Sequence, residues 1–193
     1  SFVPLAGRFL DVPMMIDSTE PLAIEEALLL FPGRAVVNSV NFEDGGSRLD
    51  RIAAAARRHG AAIVALTIDE DGMAMTAARK AAVAGRLIDR LVGVHGFAPF
   101  DIFIDPLTFT MASGDATLRS SAVETIDAIR LIKSAHPGVR ISLGVSNCSY
   151  GLKPEARRVL KPEGVLAVSE FLPDPDYPSR RVTIRTVEEA GFA

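Results

Sequence analysis

The chain has 193 residues, a formal net charge of −3 and 48% hydrophobic residues. That length is enough for one sizeable core, and the interspersed charges argue against a nucleic-acid-binding surface. No apolar stretch reaches the roughly 20 residues that a membrane span needs, the first residues lack the pattern of a secretory signal, and a single cysteine, Cys148, excludes an internal disulfide. We expect a cytoplasmic protein that binds neither nucleic acid nor membrane.

Short apolar runs alternate with helical segments along most of the chain. The predicted strands are Val12–Asp17, Gly33–Asn38, Ala61–Asp69, Asp101–Asp105 and Val139–Val145. The predicted helices are Pro21–Leu30, Arg48–His59, Ala74–Val94 and Leu118–Ser134. This alternation is typical of an α/β protein with a parallel sheet, and continuously apolar strands predict that both faces are covered. A barrel and a doubly wound sheet both fit, but no Gly-x-Gly-x-x-Gly motif supports a dinucleotide fold.

An acidic or amide residue lies at the end of every predicted strand or just beyond it. These residues are Asp17, Asn38, Asp69, Asp105 and Asn147. A turn or a helix cap is the simpler explanation for any one of them. In a barrel, however, all five would lie on the rim where active sites are built, so we expect them to share one site. Asp69 fits this site less well, because it begins an acidic turn that could simply be solvated.

The chemistry of these strand ends is limited. They carry no His, Lys, Cys or Arg, which argues against covalent catalysis and a phosphate cradle, and no spacing is typical of metal ligands. A carboxylate accepts parallel hydrogen bonds from an amidine-like N–H/NH₂ edge, and Asn both donates and accepts. The aminopyrimidinone edge of a pterin offers that pattern. The site therefore looks suited to orienting a cofactor that supplies its own chemistry.

Five motifs, in order, resemble the pterin-binding domain of cobalamin-dependent methionine synthase and of related methyltetrahydrofolate–corrinoid methyltransferases. They are MMIDSTEP, GRAVVNSVNFEDG, AAIVALTIDEDGMAMTAARK, DIFIDPLTF and ISLGVSNCSYGLKPEARRVL. The resemblance covers residues 12–160 and implies a TIM-type (β/α)8 barrel that holds methyltetrahydrofolate at the carboxyl ends of its strands. It also implies site residues. Asp17, Asn38 and Asp105 would hold the pterin, Asn147 would lie near N5, and Arg157 would contact the folate.

The resemblance further implies a methyltransferase of the methionine synthase type. The cobalt(I) of a corrinoid (cobalamin), carried on another domain or protein, would take the N5 methyl group by in-line displacement. Because tetrahydrofolate leaves poorly unless N5 is protonated or hydrogen-bonded, the Asn147 amide is the expected catalytic group. Dihydropteroate synthase shares the pterin-binding barrel and is the second choice. It ranks lower because the DPLTFT turn lacks the Gly-rich, Lys-containing sequence that this family shows after the corresponding Asp. A non-catalytic or inactive folate-binding fragment or fusion is the remaining alternative.

Two departures from the family define the expected domains. The family has about two βα units before MMIDSTEP, so residues 1–159 are predicted to form a partial barrel whose exposed sheet edge favours self-association. Residues 160–193 resemble instead the C-terminal part of a class I S-adenosylmethionine-dependent methyltransferase. They predict an appended strand at Val165–Ser169 and a helix at Thr183–Ala190. A natural fusion and a joining of unrelated sequences both remain open as the origin of this segment.

Overall fold

The computed structural model describes residues 3, 13–110, 118 and 120–149. The strands are β1 (Met14–Asp17), β2 (Ala35–Val40), β3 (Ala62–Leu66), β4 (Ile68–Asp69), β5 (Gly72–Met73), β6 (Ile102–Asp105) and β7 (Arg140–Ile141). The α-helices are α1 (Pro21–Leu30), α2 (Ser47–Arg58), α3 (Ala77–Gly93) and α4 (Ser121–Ala135). Short 3-10 helices span Pro99–Asp101 and Val145–Ser149. The predicted helices and three of the predicted strands, those ending at Asp17, Asn38 and Asp105, are confirmed with small shifts in their bounds.

Five parallel strands form one sheet in the order β1-β2-β3-β6-β7. Each of these strands lies beside the next parallel strand of the chain, and the order never reverses. A doubly wound sheet contains such a reversal, whereas a (β/α) barrel winds in one direction. Of the two architectures left open by the sequence, the described strands follow that of a barrel. They form an open sheet with β1 and β7 at its edges, as expected of an incomplete barrel.

Alternate residues of the strands form the core beneath the helices. Ile16, Val37, Ile63 and Ile102 lie side by side in register, and each is at most 8% exposed. The helices complete this core with buried apolar side chains at helical spacing, such as Leu87 of α3. The intervening strand residues point to the opposite face. That second face carries the polar side chains at the strand ends.

The predicted strand Ala61–Asp69 is interrupted at Thr67. The Thr67 N–H and Oγ1 both donate to the carbonyl oxygen of Asp105, at 3.0 and 3.3 Å, so the chain is tied to β6 at this point. Beyond it, β4 pairs with β5 in a separate antiparallel hairpin. The prediction of one continuous strand is therefore wrong, and Asp69 belongs to the hairpin rather than to the end of β3.

The predicted strand Val139–Val145 is also too long, because only Arg140–Ile141 joins the sheet. Further along, the backbone N–H of Gly144 hydrogen-bonds the Asp105 carboxyl group, and the Gly144 carbonyl accepts from Thr108 Oγ1 at 2.5 Å. The backbone of Gly144 thus bonds to the side chains of Asp105 and Thr108 instead of to the backbone of a neighbouring strand. The chain then forms the 3-10 helix that contains Asn147.

The chain divides into two units. One is Ser1–Thr108 with Ser120–Gly144, and the other is Phe109–Arg119 with Val145–Ala193. The sheet and the four α-helices belong to the first unit. The predicted domain boundary at residue 160, and the strand and helix predicted beyond it, lie outside the described residues. Within the described part of the chain, no helix combines the length and apolarity required to span a bilayer.

An ion-pair cluster joins α2 to the end of α3 at the surface. Asp50 accepts hydrogen bonds from the Arg90 guanidinium, with Nε at 2.9 Å, and its Oδ1 lies 2.8 Å from Nε2 of His95. The Arg90 hydrogen bonds, opposed by partial desolvation and supported by His95, lower the pKa of Asp50 to about 2. The ionised form of Asp50 therefore favours the folded state.

We expect Asp50→Asn to lower the free energy of unfolding by about 1 kcal/mol at pH 7, less than the pKa shift alone implies because the carboxylate is partly exposed. Urea denaturation measures this change. Since the folded pKa lies below the unfolded value of about 3.9, the contribution is present above pH 4 and lost as the pH falls towards 2.

Asp127→Asn is the matched control, because Asp127 forms an ion pair with the exposed Arg130 one turn along α4. Its effect on the free energy of unfolding should stay within about 0.5 kcal/mol. An Asp50→Asn effect that is equally large at pH 2 and pH 7 would contradict the electrostatic explanation.

Candidate functional site

Asp17 and Asn38 form a cross-strand pair at the carboxyl ends of β1 and β2. They are partners in the parallel register, and Asn38 Nδ2 donates to Asp17 Oδ2 at 3.3 Å. The Asp17 side chain is exposed, and Asn38 is half-buried. Directly after Asn38 the register shifts by one residue between Asn38 and Val40, and the Asn38–Ser39 peptide bond is cis. The pair therefore presents both an acceptor and a donor at the edge of the sheet.

Asp105 ends β6 on the same face of the sheet. The register runs from Asn38 through Val64 to Phe103, and Asp105 lies two residues beyond Phe103, so its side chain points to the same side. Two strand spacings, roughly 10 Å, separate the backbones of β2 and β6. A flat bicyclic ring can bridge that span together with the side chains. The structure thus brings Asp17, Asn38 and Asp105 to one edge.

The Asp105 carboxyl group is largely withdrawn from water. Its Oδ1 accepts the backbone N–H of Leu107 at 2.8 Å, and the backbone N–H of Gly144 also hydrogen-bonds it. Desolvation raises the pKa of Asp105, although these two N–H groups and the charge of Lys80 oppose the shift. A carboxylate offers about four lone-pair positions. Asp105 therefore retains capacity to accept hydrogen bonds from a ligand.

The turn after Asp105 is fixed by two side chains from the helices. Lys80 Nζ donates to the carbonyl oxygens of Pro106 and Leu107, at 2.5 and 3.0 Å. Thr125 Oγ1 of α4 donates to the same Leu107 oxygen at 2.8 Å. Leu107 adopts φ of 64°, a left-handed conformation that is costly for a branched side chain. The supporting bonds thus hold a strained residue whose own N–H contacts Asp105.

Asp69 takes no part in this arrangement. It is 6% exposed, and its two oxygens accept hydrogen bonds from Arg79, at 2.5 Å, and Arg86, at 3.3 Å. Both arginines extend from α3 towards the hairpin. The suggestion of a solvated acidic turn is wrong for Asp69, which is buried and paired with two guanidinium groups.

Asn147 lies in the 3-10 helix of the second unit. Its side chain is exposed, and its backbone oxygen accepts from Thr110 Oγ1 at 3.2 Å. Cys148 beside it is a half-buried free thiol. Arg157 lies outside the described residues. The roles expected for Asn147 and Arg157 stay predictions.

The chemistry of the edge suits a neutral, nitrogen-rich heterocycle. Two carboxylates and an amide supply acceptors for N–H groups and one donor for a ring nitrogen or carbonyl oxygen. In the described part of the chain, no group of three or more His, Cys, Asp or Glu side chains is placed to hold a metal ion. Phe103 adds an aromatic surface to the same face, and the Arg140 guanidinium lies 5.4 Å from its ring centre.

Comparison with known proteins identifies the family. Residues 2–169 match the family described as pterin binding enzyme. The chain belongs to the pterin-binding enzyme family. It is 48% identical over 152 residues to methionine synthase of Mycobacterium tuberculosis, and 48% identical over 162 residues to methionine synthase of Mycobacterium leprae. These alignments cover 77% and 81% of the chain but only 13% of each relative, so the chain spans a small part of their length.

Family membership confirms the resemblance to the pterin-binding domain of methionine synthase. It also confirms the α/β class and the TIM-type architecture, which the one-way winding of the sheet already favours. The family match alone assigns no site residue. The edge formed by Asp17, Asn38 and Asp105 is nevertheless where a barrel enzyme builds its active site.

Sequence reasoning missed the residues that support the candidate site. Lys80, Leu107 and Thr125 lie off the strand ends. Lys80 and Leu107 fall within two of the five motifs, but no role was predicted for either. The burial of Lys80 could have been predicted, because this residue occupies the apolar face of α3 that continues through Val83, Leu87 and other buried residues. A lysine at such a position predicts a buried polar contact. No local feature of the sequence predicts the left-handed conformation of Leu107.

The strained turn makes a testable prediction for stability in this family member. Leu107→Gly and Leu107→Ala both remove the side chain and keep the backbone hydrogen bonds, but only glycine adopts a positive φ without steric cost. We expect Leu107→Gly to be more stable than Leu107→Ala by about 1 kcal/mol. Paired urea denaturation measures the difference. An alanine variant as stable as the glycine variant would show that the turn carries no strain.

Proposed function

We propose that this chain binds methyltetrahydrofolate at the edge formed by Asp17, Asn38 and Asp105, and presents its N5 methyl group for transfer to a corrinoid. The observation that carries the proposal is Asp105, a desolvated carboxylate held by two backbone N–H groups on the same face as the Asp17–Asn38 pair. Membership of the pterin-binding family supports a pterin as the ligand. The methionine synthase relatives support a folate as the form of that pterin.

The proposed binding mode follows from donor and acceptor counts. The amidine-like edge of the pterin presents adjacent N–H groups, which a carboxylate accepts in parallel. Asp105 is suited to this role because its partial burial strengthens hydrogen bonds to a neutral partner. Asn38 can donate to a ring acceptor while its contact with Asp17 fixes the orientation of the amide. The ligand is thereby oriented without any covalent bond to the protein.

The proposed catalytic residue is Asn147. N5 becomes more basic as its methyl group leaves, so a neighbouring group must accept or donate a hydrogen bond as the protonation of N5 changes. An amide does both. The corrinoid, carried on another domain or protein, would supply the nucleophilic cobalt(I) that accepts the methyl group.

The first test is calorimetric titration of methyltetrahydrofolate into the chain and into Asp105→Asn. Loss of the charged acceptor should weaken binding roughly 10- to 100-fold, since hydrogen bonds to charged groups contribute about 1.5–3 kcal/mol. The free energy of unfolding of this variant should match or exceed that of the wild type. Burial, which raises the pKa of Asp105, opposes folding of the ionised form at neutral pH.

Asp101→Asn is the matched control for that experiment. Asp101 precedes the same strand at its opposite end, where it pairs with Arg34. Its substitution should leave the affinity for methyltetrahydrofolate unchanged. Absence of binding to the folded wild-type chain, or equal weakening by both substitutions, would overturn the proposed site.

The second test is the rate of methyl transfer from methyltetrahydrofolate to free cob(I)alamin. We expect Asn147→Ala to slow this transfer by about 10²-fold or more, as removal of one hydrogen-bonding group at a reacting atom commonly does. The affinity for methyltetrahydrofolate should change far less. Cys148→Ala, in the same 3-10 helix, is the control and should keep the wild-type rate. An unchanged rate in Asn147→Ala would remove Asn147 from the mechanism.

Several finer expectations remain part of this proposal. They are the methyltransferase activity itself, the corrinoid-binding partner, the contact of Arg157 with the folate, and the cytoplasmic location. Self-association through a sheet edge belongs to the same proposal. Binding without turnover in the two experiments would favour the alternative of a folate-binding unit that is not itself catalytic.

A further inference from the structure

Lys80 is buried in the core of the first unit. Its exposed fraction is 0%, which is exceptional for lysine. The Nζ group lies within hydrogen-bond distance of three acceptors, namely the carbonyl oxygens of Pro106 and Leu107 and the hydroxyl of Thr125. An ammonium group has three N–H donors. These three acceptors come from the loop after β6 and from α4.

Lys80 acts on Asp105 through the intervening turn. The Leu107 carbonyl accepts from Lys80, and the Leu107 N–H donates to Asp105 Oδ1 at 2.8 Å. Leu107 remains left-handed only while its surroundings hold it there. If the turn relaxes to an ordinary conformation, the Leu107 N–H turns away from Asp105. Lys80 therefore holds Leu107, and Leu107 in turn hydrogen-bonds to Asp105, the residue proposed to contact the ligand.

We propose that Lys80 is a positioning residue of the pterin site, which holds the Pro106–Leu107 turn so that the Asp105 carboxylate is aimed at the ligand. This inference rests on the proposed function. It assigns to a core lysine of α3 a role in affinity, although Lys80 itself lies behind the strand end that would contact the pterin. Thr125, which bonds both Lys80 Nζ and the Leu107 carbonyl, is the second part of the same support.

The support should depend on pH. Desolvation lowers the pKa of Lys80 to about 8, and the charges of Asp105 on β6 and Glu124 on α4 oppose this shift. Above that pH the neutral amine keeps two N–H donors for the three acceptors, and its remaining bonds lose the assistance of charge. The turn should therefore loosen, and affinity should fall, as the pH rises through 8.

The test compares Lys80→Met with Lys133→Met by calorimetric titration of methyltetrahydrofolate into the full chain. Lys133 is a matched control because its Nζ also donates to two backbone carbonyls, those of Pro137 and Val139, at 2.6 and 2.7 Å. Those carbonyls precede β7, at the end of the sheet opposite to Asp105. We expect Lys80→Met to weaken binding about tenfold or more and Lys133→Met to leave it unchanged.

A pH profile separates positioning from general support of the fold. The wild type and Lys133→Met should bind progressively less tightly from pH 7 to pH 9.5, with a midpoint near the lysine pKa of about 8. Lys80→Met should bind weakly at every pH and lack this transition. Equal affinities of Lys80→Met and the wild type at pH 7, or a wild-type affinity that does not change with pH, would overturn the inference.

Thr125 provides a second variant if Lys80→Met fails to fold. Thr125→Val removes the hydroxyl but keeps the shape and the lysine charge, and Thr125→Ser restores the hydroxyl. The inference expects weaker binding in the first variant and recovery in the second, and equal binding in both would contradict it. A wild-type chain that binds no methyltetrahydrofolate refutes the proposed function itself. Binding with no effect of Lys80 or Thr125 refutes only the positioning role.

Discussion

Parallel pairing in a single winding direction is the constraint on which the site depends. Because the five strands of the sheet pair in parallel, all their carboxyl ends reach the same edge. The register then decides which side chains share a face. Asp17 and Asn38 are direct partners, and Asp105 lies on the same side two residues beyond Phe103. A shift of one residue in any strand would turn its polar side chain into the helix-facing core.

Burying polar groups at this edge has a cost that the surrounding contacts offset. Asp105 and Lys80 are both disfavoured in their charged forms by desolvation, yet each charge favours the other. Backbone N–H groups hydrogen-bond to Asp105 and backbone carbonyls accept from Lys80, so the aliphatic core accommodates a charged network. In the β4–β5 hairpin, the buried Asp69 carboxylate is instead paired with the partly exposed guanidinium groups of Arg79 and Arg86.

Local patterns of the sequence predict much of this fold. Apolar runs and helical periodicity located the helices and most of the strands, and the acidic and amide strand ends identified the three residues that meet at the edge. Two predicted strands were too long, because their later residues form hydrogen bonds outside the regular pattern between neighbouring strands. Thr67 interrupts one strand by bonding the Asp105 carbonyl, and Gly144 ends another by bonding Asp105 and Thr108. Such partners are distant in the chain, so no local pattern reveals them.

The same reasoning explains why binding and reaction have different structural requirements. A residue that orients a ligand gains from rigidity, and Asp105 is held by the sheet, two backbone N–H groups and a turn supported by two helices. A residue that follows the changing protonation of a reacting nitrogen must exchange its hydrogen-bond role instead. Asn147 has an exposed amide on a short 3-10 helix, with its backbone rather than its side chain bonded to Thr110. An exposed amide is the kind of group that the proposed reaction calls for, because it can both donate and accept a hydrogen bond.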